Sequence, residues 1–340
     1  MLTERQLLIL QTIVDDYIRS AEPVGSRTIS KRKNLPYSAA TIRNDMAELE
    51  EQGYLEKPHS SSGRVPSQKG YRYYVDHLLS PHHLTEAEVS DIRSIFDKKL
   101  REFEEIMEHS ARILSNMTSY VSLVLGPEVY ETALKSTQIV PLTKSTAILI
   151  LVTDTGHVEK QLIEIPESID VSDIERTVNI LNDRLIGIPL NELQEKLKTE
   201  VKSVLQAHVK NYERILQALL PSFKIEKSEK VYYSGKTNLL MFPEFQNAER
   251  LRNLLDRLEE AETINKLRSN EQGIRVRIGH ENNMPAFEEC TLITATFSTG
   301  NKYMGTIGII GPTRMEYPRV IGLIESLSKD LSKLLTELYA

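Results

Sequence analysis

The stretch from Ser38 to Tyr74, SAATIRNDMAELEEQGYLEKPHSSSGRVPSQKGYRYY, constrains the fold of this chain more than any other. A helix with a polar N-terminal half is followed by a short strand and then by a loop of Ser and Gly that ends in Arg64. This order is typical of a winged helix-turn-helix, which presents one helix to the DNA major groove and a basic hairpin beside it. The sequence therefore predicts a DNA-binding module in the first 80 residues.

The helix that begins after Ser38 separates a buried face from an exposed one. Ser38 is a good N-cap, and Gly53 is a good residue to end the helix. The apolar side chains that recur at about 100° per residue, and should pack inward, are Ala39, Ile42, Met46 and Leu49. The side chains on or beside the opposite face are Ala40, Thr41, Arg43, Asn44 and Ala47. Acidic residues crowd the C-terminal end, where neither the helix dipole nor phosphate favours them, so we expect that end to point away from DNA.

The N-terminal half of this helix is predicted to read bases. Arginine can bind guanine and asparagine can bind adenine through paired hydrogen bonds, and these roles fall to Arg43 and Asn44. The alternative for Arg43 is a contact to phosphate only. The other predicted DNA contacts lie on or near this helix, in the wing and on the helix after it: Ser26, Arg27, Ser38, Ala40, Thr41, Lys57, His59, Ser61, Gly63, Arg64, Lys69, Tyr71 and Arg72. For Tyr71 a packing role is an equal alternative to a phosphate contact.

The distribution of charge supports DNA binding although the whole chain has a net charge of −6. Residues 19–45 contain six basic and two acidic side chains, and residues 57–75 contain four basic side chains and no acid. Each window therefore has a net charge of +4, which indicates one basic face on an otherwise acidic molecule. The alternative is a winged helix that docks protein or RNA, with the basic face only a solvated surface.

Length and composition are those of a multidomain globular protein. A chain of 340 residues exceeds what one hydrophobic core usually holds, so we expect two or three domains. The longest wholly apolar run, Ala147 to Val152, is too short for a membrane span, and the first residues lack the apolar core of a signal peptide. We therefore expect a cytoplasmic protein. The single cysteine, Cys290, excludes an internal disulfide and is expected to be a buried hydrophobe.

The rest of the chain alternates between helices and strands. A long helix is predicted from Thr85 to about Met117, further helices begin at Ser172 and cover 189–220, and the last helix covers 317–339. The predicted strands are 120–125, 136–140, 147–152, 158–165, 274–278, 291–298 and 302–310, with a hairpin over 231–242. This order indicates an α+β sensor-like domain with a mostly helical insertion.

An apolar stripe runs along the predicted insertion and is a candidate dimer interface. Its members are Leu197, Val201, Val204, Leu205, Val209, Tyr212 and Leu216. A dimer would place two reading modules on an inverted repeat, provided that a symmetric interface fixes their spacing. The alternative is that the stripe packs within its own chain.

Three segments of the chain resemble the family of the heat-inducible transcription repressor HrcA. They are GSRTIS together with SAATIRNDMAELEEQGYLEKPHSSSGRVPS, then GYRYYVDHLL, and near the end GTIGIIGPTRMEYPRVIGLIESLS. The resemblance implies an α+β multidomain protein with a winged helix-turn-helix at 1–80, a GAF-like α/β sensor-type domain at 81–167 and 247–340, and an inserted, mainly helical dimerisation domain at 168–246. It implies a homodimer that represses groE- and dnaK-type chaperone operons by binding the CIRCE inverted repeat in double-stranded DNA. It also implies release on heat stress, modulation by the chaperonin GroEL, and a place at the bacterial nucleoid.

No catalytic or metal site is predicted, so we expect neither an enzyme nor a bound cofactor. Asp154-Thr155-Gly156 resembles the catalytic turn of aspartic proteases, but the same tripeptide is typical of a tight hairpin. The histidines have no recurring ligand spacing, and Gly235-Lys236-Thr237 lacks the upstream glycine of a phosphate-binding loop. The alternative function is a small-molecule-responsive transcriptional regulator with a ligand in the GAF-like domain.

Overall fold

The computed structural model describes residues 2–33, 35–58, 63–79, 84–97, 103–126, 132–165, 169–223, 231–268, 272–299 and 302–339. The helices are α1 Glu4–Ser20, α2 Ser26–Ile29, α3 Ala39–Glu51, α4 Gln68–Tyr73, α5 Glu86–Asp97, α6 Phe103–Thr118, α7 Val171–Leu185, α8 Leu193–Lys196, α9 Lys202–His208, α10 Tyr212–Leu219, α11 Ala248–Leu258, α12 Ala261–Leu267 and α13 Tyr317–Tyr339. The strands are β1 Leu55–Glu56, β2 Val65–Pro66, β3 Val121–Leu125, β4 Leu134–Pro141, β5 Thr146–Thr153, β6 Val158–Glu164, β7 Val231–Ser234, β8 Ile274–Ile278, β9 Cys290–Thr299 and β10 Lys302–Pro312.

Residues 2–79, which we call the reading head, form the predicted winged helix. Helices α1, α2 and α3 pack on one another, and β1 and β2 pair antiparallel, with Leu55 opposite Pro66. A short bridge between Val24 and Arg64 adds a third backbone segment to this small sheet. Helix α4 follows the wing directly and continues as a π-helical turn over Tyr74–Leu78.

The GAF-like domain consists of residues 84–126 and 231–339 and is built on a five-stranded antiparallel sheet. The strand order is β7-β3-β10-β9-β8, so β3 pairs with β10 across a large separation in sequence. Successive side chains of β3 point to opposite faces of the sheet, and each face is covered by helices. Val124 packs in the core beneath α6 and α13, whereas Leu123 and Leu125 pack in the core beneath α11 and α12. The α+β prediction is confirmed.

The reading head shares a hydrophobic core with the GAF-like domain. Tyr71 and Tyr74 of the head lie in the same buried cluster as Tyr317 and Leu323 of α13. Tyr317 is fully buried, and its ring centroid is 6.0 Å from that of Tyr71 and 6.4 Å from that of Tyr74. The head is therefore packed on the domain, because apolar side chains from both contribute to one core.

The inserted unit consists of residues 132–223, so both of its boundaries differ from the predicted range of 168–246. Strands β4, β5 and β6 form their own three-stranded sheet, and helices α7 to α10 cover one of its faces. The predicted domain bounds place these strands in the GAF-like domain and begin the insertion at residue 168. At the other end, β7 pairs with β3, so residues 231–246 belong to the GAF-like domain.

The predicted hairpin over 231–242 is wrong. Strand β7 is followed by Gly235 in a left-handed conformation and then by a 3₁₀ turn, Lys236–Met241.

The predicted dimerisation stripe is mostly buried inside its own inserted unit, which corrects that prediction. The buried members, each at most 7% exposed, are Leu197, Val201, Leu205, Val209 and Leu216. Tyr212 packs on the same cluster and Val204 is half-buried. The buried members share one hydrophobic cluster with α7 and with Leu149 and Leu151 of β5, so they are not available to a second copy of the chain.

The structure also shows the surroundings of the residues considered for membrane insertion, metal binding and catalysis. Within the described ranges no helix is long and apolar enough to cross a membrane. The same ranges contain no group of three His, Cys, Asp or Glu side chains placed to hold a metal ion. Cys290 is fully buried, and burial raises the pKa of its thiol above the usual range, so a reactive thiolate is disfavoured there. Asp154 lies in the β5–β6 turn, where its carboxylate accepts a hydrogen bond from the Ala133 amide (3.1 Å), a structural role.

Candidate nucleic-acid interface

Helix α3 is the element that the sequence predicts to enter the major groove, and its N-terminal end is well formed. The Ser38 hydroxyl accepts a hydrogen bond from the Thr41 amide (3.1 Å) and lies 2.9 Å from the Thr41 hydroxyl. Ile42, Met46 and Leu49 are buried, as the periodicity predicts. Because this face is fixed in the core of the head, the opposite face of the helix points to solvent.

The exposed face of α3 carries the side chains predicted to read bases. Arg43 and Asn44 are both exposed, and so is Ala40. Among the residues that the structure describes, neither Arg43 nor Asn44 has a side-chain hydrogen bond or ion pair. Their donors and acceptors are therefore free to meet base edges. Arg27 on α2 and Lys57 after β1 are exposed as well, which suits them to contact phosphate.

Three of the four acidic residues of α3 have partners within the head, and two of these partners are arginines. Asp45 is 3% exposed and accepts two hydrogen bonds from the Arg5 guanidinium, at 2.7 and 3.0 Å. The Glu48 carboxylate accepts a hydrogen bond from the Gln6 amide group (2.7 Å), and Glu50 pairs with Arg64 (2.6 Å). These contacts lower the repulsion that the carboxylates would exert on phosphate. They also explain how an acidic helix can still present a basic N-terminal end.

The wing is anchored at its base by Gly63 and Arg64. An added Cβ at Gly63 would lie 2.8 Å from the Pro23 carbonyl group, so only glycine fits this close approach. The Arg64 guanidinium is 15% exposed and is bound to Glu50, and its backbone pairs with Val24. We therefore assign both residues to the base of the wing, which corrects their predicted role as DNA contacts. His59 and Ser61, also predicted to touch DNA, lie outside the described residues.

Four other predicted contacts have different outcomes. Ser26 is 7% exposed, and Tyr71 is 2% exposed with its ring against Tyr317, so burial removes both from the DNA-facing surface. Arg72 points to the GAF-like domain, where its guanidinium binds Glu281, so its phosphate contact stays a prediction that competes with this pair. Lys69 remains exposed, but its ammonium donates a hydrogen bond to the Gln52 carbonyl (2.7 Å) at the C-terminal end of α3.

Comparison with known proteins decides the family. Residues 104–321 match the family described as the HrcA protein C terminal domain, and residues 32–67 match the DeoR-like helix-turn-helix domain. The chain is 59% identical over 340 residues to the heat-inducible transcription repressor HrcA of Halalkalibacterium halodurans, covering 100% of this chain and 99% of that protein. This chain belongs to the HrcA family. The repressor of the same name from Shouchella clausii is 56% identical over 338 residues and covers 99% of each chain.

Membership of the HrcA family makes the chain a transcription repressor with a DNA-binding helix-turn-helix. The helix-turn-helix match spans α3 and both wing strands, which confirms the module that the sequence predicts. A crystal structure described as a hypothetical protein at 2.2 Å resolution has the same fold. It is 24% identical with a TM-score of 0.70, and the match covers 99% of this chain and 100% of that one.

Two structural features are not predicted from the sequence. Gln68 binds the GAF-like domain beside Arg72, and nothing in a lone glutamine at the start of a helix indicates such a contact. The outer face of the β4-β5-β6 sheet carries partly exposed apolar side chains beside Gln138 and Lys160, and Leu162 there is 69% exposed. A signal for this face was present, since the continuous run Ala147 to Val152 is typical of a strand covered on both faces.

Proposed function

We propose that this chain is a dimeric repressor of groE- and dnaK-type chaperone operons, which binds the CIRCE inverted repeat and leaves it on heat stress. The observation that best supports base recognition is in the N-terminal half of α3. Arg43 and Asn44 are exposed there without partners in the described chain. The operator and the operons follow from the likeness to HrcA proteins. Such a repressor works at the nucleoid, in the bacterial cytoplasm.

A dimer is part of this proposal because one head is a small DNA-binding module. A single module buries only about 600–1,000 Å² on DNA, which is modest against a genome of competing sites. Two heads related by a two-fold axis match the two arms of an inverted repeat when the interface fixes their separation. The dimer surface must therefore lie outside α3.

The outer face of the three-stranded sheet is the surface that best suits this dimer. Val140, Ile148 and Leu162 form one cross-strand row, because Ile148 pairs with both of the others. Val140 is 42% and Leu162 69% exposed, and Val158, paired with Val152 on the same face, is 37% exposed. Helices cover the other face of this sheet. A second copy packed on the outer face would remove this apolar surface from water, as in many homodimers.

Replacing Leu162 by aspartate is expected to dissociate the dimer. An unpaired carboxylate buried in each half of a symmetric interface costs several kcal/mol, so the dimer Kd should rise at least about a hundredfold. Sedimentation equilibrium measures this change. The matched control is Ile186→Asp, since Ile186 is 52% exposed in the same inserted unit and follows α7, a helix that packs on the opposite face of the sheet. Unchanged dimers of Leu162→Asp would contradict the assignment of this surface.

For release on heat stress we propose that GroEL keeps the repressor folded until damaged proteins occupy the chaperonin. Two features support this proposal. The sheet of the GAF-like domain pairs β3 with β10 across the whole inserted unit, and such non-local pairing forms slowly. The apolar outer face is available for aggregation before a second copy covers it. GroEL should therefore raise the fraction of repressor that binds operator, and equal binding with and without GroEL from growth to heat-shock temperature would contradict this step.

A small-molecule effector is the second candidate for control. The sequence predicts its ligand in the GAF-like domain, and one cleft lies at the edge of that domain. A cavity of about 320 Å³ lies between α1 of the reading head and α13 of the GAF-like domain. Asp15 and Arg19 line one side, and Glu316 and Arg319 line the other. A zwitterionic ligand bound there would contact both parts of the molecule. Thermal-shift screening tests this alternative, because a true effector raises the melting temperature by mass action.

Titration of fluorescent duplexes with the purified protein tests the proposed function as a whole. We expect binding to the CIRCE repeat at least about a thousandfold tighter than binding to a scrambled duplex at physiological salt. A duplex with a single arm of the repeat should bind with intermediate affinity. Equal affinity for the repeat and the scrambled duplex would contradict the proposal.

A further inference from the structure

Polar side chains of α4 tie the reading head to the GAF-like domain, in addition to the shared apolar core. Gln68 and Arg72 are four residues apart, so they project from the same side of the helix. Both reach the segment that contains the end of β8 and the 3₁₀ turn Gly279–Asn282. This side of α4 therefore faces the GAF-like domain.

The Gln68 carboxamide uses both its donor and its acceptor on backbone groups of the GAF-like domain, one in that segment and one at Glu288. Its Nε2 donates to the Glu288 carbonyl (3.1 Å), and its Oε1 accepts from the His280 amide (3.0 Å). Gly279 adopts a φ of +54°, and a Cβ added there would lie 2.2 Å from the Gln68 carboxamide. The glycine allows the turn to approach the side chain this closely.

The Arg72 guanidinium is committed to the same segment. Its Nε and Nη2 bind the two carboxylate oxygens of Glu281, at 2.9 and 2.6 Å, and Nη2 also donates to the Val276 carbonyl (2.7 Å). The Glu281 carboxylate accepts a further hydrogen bond from the Ile278 amide (2.9 Å), so it is held in place. A bidentate pair of this kind fixes direction as well as distance.

We propose that Gln68, Arg72 and Glu281 form a latch that sets the orientation of the reading head, and that they are positioning residues for operator binding. This inference rests on the proposed binding of a two-armed operator by a dimer. Two heads meet both arms only when each is held at the right angle to the dimer axis. A head held by these contacts has little orientational freedom left to lose, so operator binding costs less entropy. Once one head has bound its arm, the second head meets the other arm at a higher effective concentration.

Glu281→Ala tests the latch, because the two possible roles of Arg72 predict opposite results. If the latch positions the head, affinity for the two-armed operator should fall about tenfold, with affinity for a single arm unchanged. The slope of log affinity against log salt should stay the same, since no phosphate contact is lost. If Arg72 instead contacts phosphate, removal of the competing carboxylate should strengthen binding and steepen the salt dependence.

Asp76→Ala is the matched control. Asp76 also accepts a hydrogen bond from Arg72 (3.1 Å), but it lies one turn further along within the reading head. Its loss removes one carboxylate from Arg72 and leaves the contact between head and domain intact, so affinity for the two-armed operator should not change. Gln68→Ala should behave like Glu281→Ala, because it removes the other half of the latch.

Hydrogen–deuterium exchange gives a readout that needs no DNA. Exchange in residues 276–288 should accelerate in Glu281→Ala and Gln68→Ala and stay as in the wild type in Asp76→Ala. If exchange accelerates in the variants but the wild-type protein binds no operator, the contact between head and domain is confirmed and the proposed function is refuted. Stronger binding, unchanged two-arm affinity, or equal losses on one and two arms in Glu281→Ala would overturn the positioning role.

Discussion

Replacement of Arg43 by alanine is expected to weaken operator binding by about 1–3 kcal/mol and to relax the preference at one base position. The guanidinium lies exposed on α3 with no partner in the described chain, so its loss should remove the predicted DNA contact without disturbing the head. A bidentate arginine discriminates guanine from other bases, and that discrimination disappears with the side chain. Competition assays with operators that carry single base changes measure the effect position by position.

Lys31→Ala is the control for charge. Lys31 is exposed at the end of the second helix, so its replacement removes the same unit of charge from the head. Its loss is expected to weaken all duplexes by the same factor, with a salt slope lower by about 0.9 if it contacts one phosphate. Uniform weakening by Arg43→Ala across all operator variants would show that Arg43 touches only phosphate.

Gly70→Ala is expected to have the largest effect on stability, lowering the free energy of unfolding by about 2–3 kcal/mol. A Cβ at Gly70 would lie 2.1 Å from the Tyr54 carbonyl oxygen, which belongs to the backbone and cannot rotate away. The Gly70 amide also donates to the Ser67 hydroxyl (3.0 Å) that caps α4. Relief of the clash therefore requires α4 to shift from the wing, and urea denaturation followed by circular dichroism measures the cost.

Gly25→Ala is the matched control for that substitution. A Cβ at Gly25 meets no atom within 4 Å, and its φ of −95° suits any residue. Because glycine is somewhat better than alanine at an N-cap, we expect a loss below about 1 kcal/mol. A Gly70→Ala protein as stable as Gly25→Ala would contradict the close approach of α4 to Tyr54.

The sequence predicts the reading head well because its signals are local. Ser38 caps α3 as expected, the helical spacing of Ile42 and Met46 matches their burial, and the wing strands flank the Ser/Gly loop. The strands of the middle region are also found close to their predicted bounds, because alternation and apolar runs mark a strand whatever it pairs with.

Partners distant in sequence account for the errors. The run Ala147 to Val152 has the same apolar pattern in either sheet, so its place in the inserted unit depends on pairing with β4 and β6. The amphipathic stripe that includes Leu197 shows that one face is buried but not which surface covers it. Arg72 lies in a window without acids, and its carboxylate partner Glu281 is 209 residues away. Charge in a sequence window therefore does not establish exposure in the fold.

Footprinting of the purified protein on DNA upstream of chaperonin genes tests the central claim most directly. A two-fold dimer that reads with α3 predicts protection of both arms of the CIRCE repeat over the same range of protein concentration. Arg43→Ala and Leu162→Asp should each need a higher protein concentration to produce this protection. Absence of protection at the repeat, or protection of one arm only by the wild-type protein, would contradict a dimeric repressor acting through this helix.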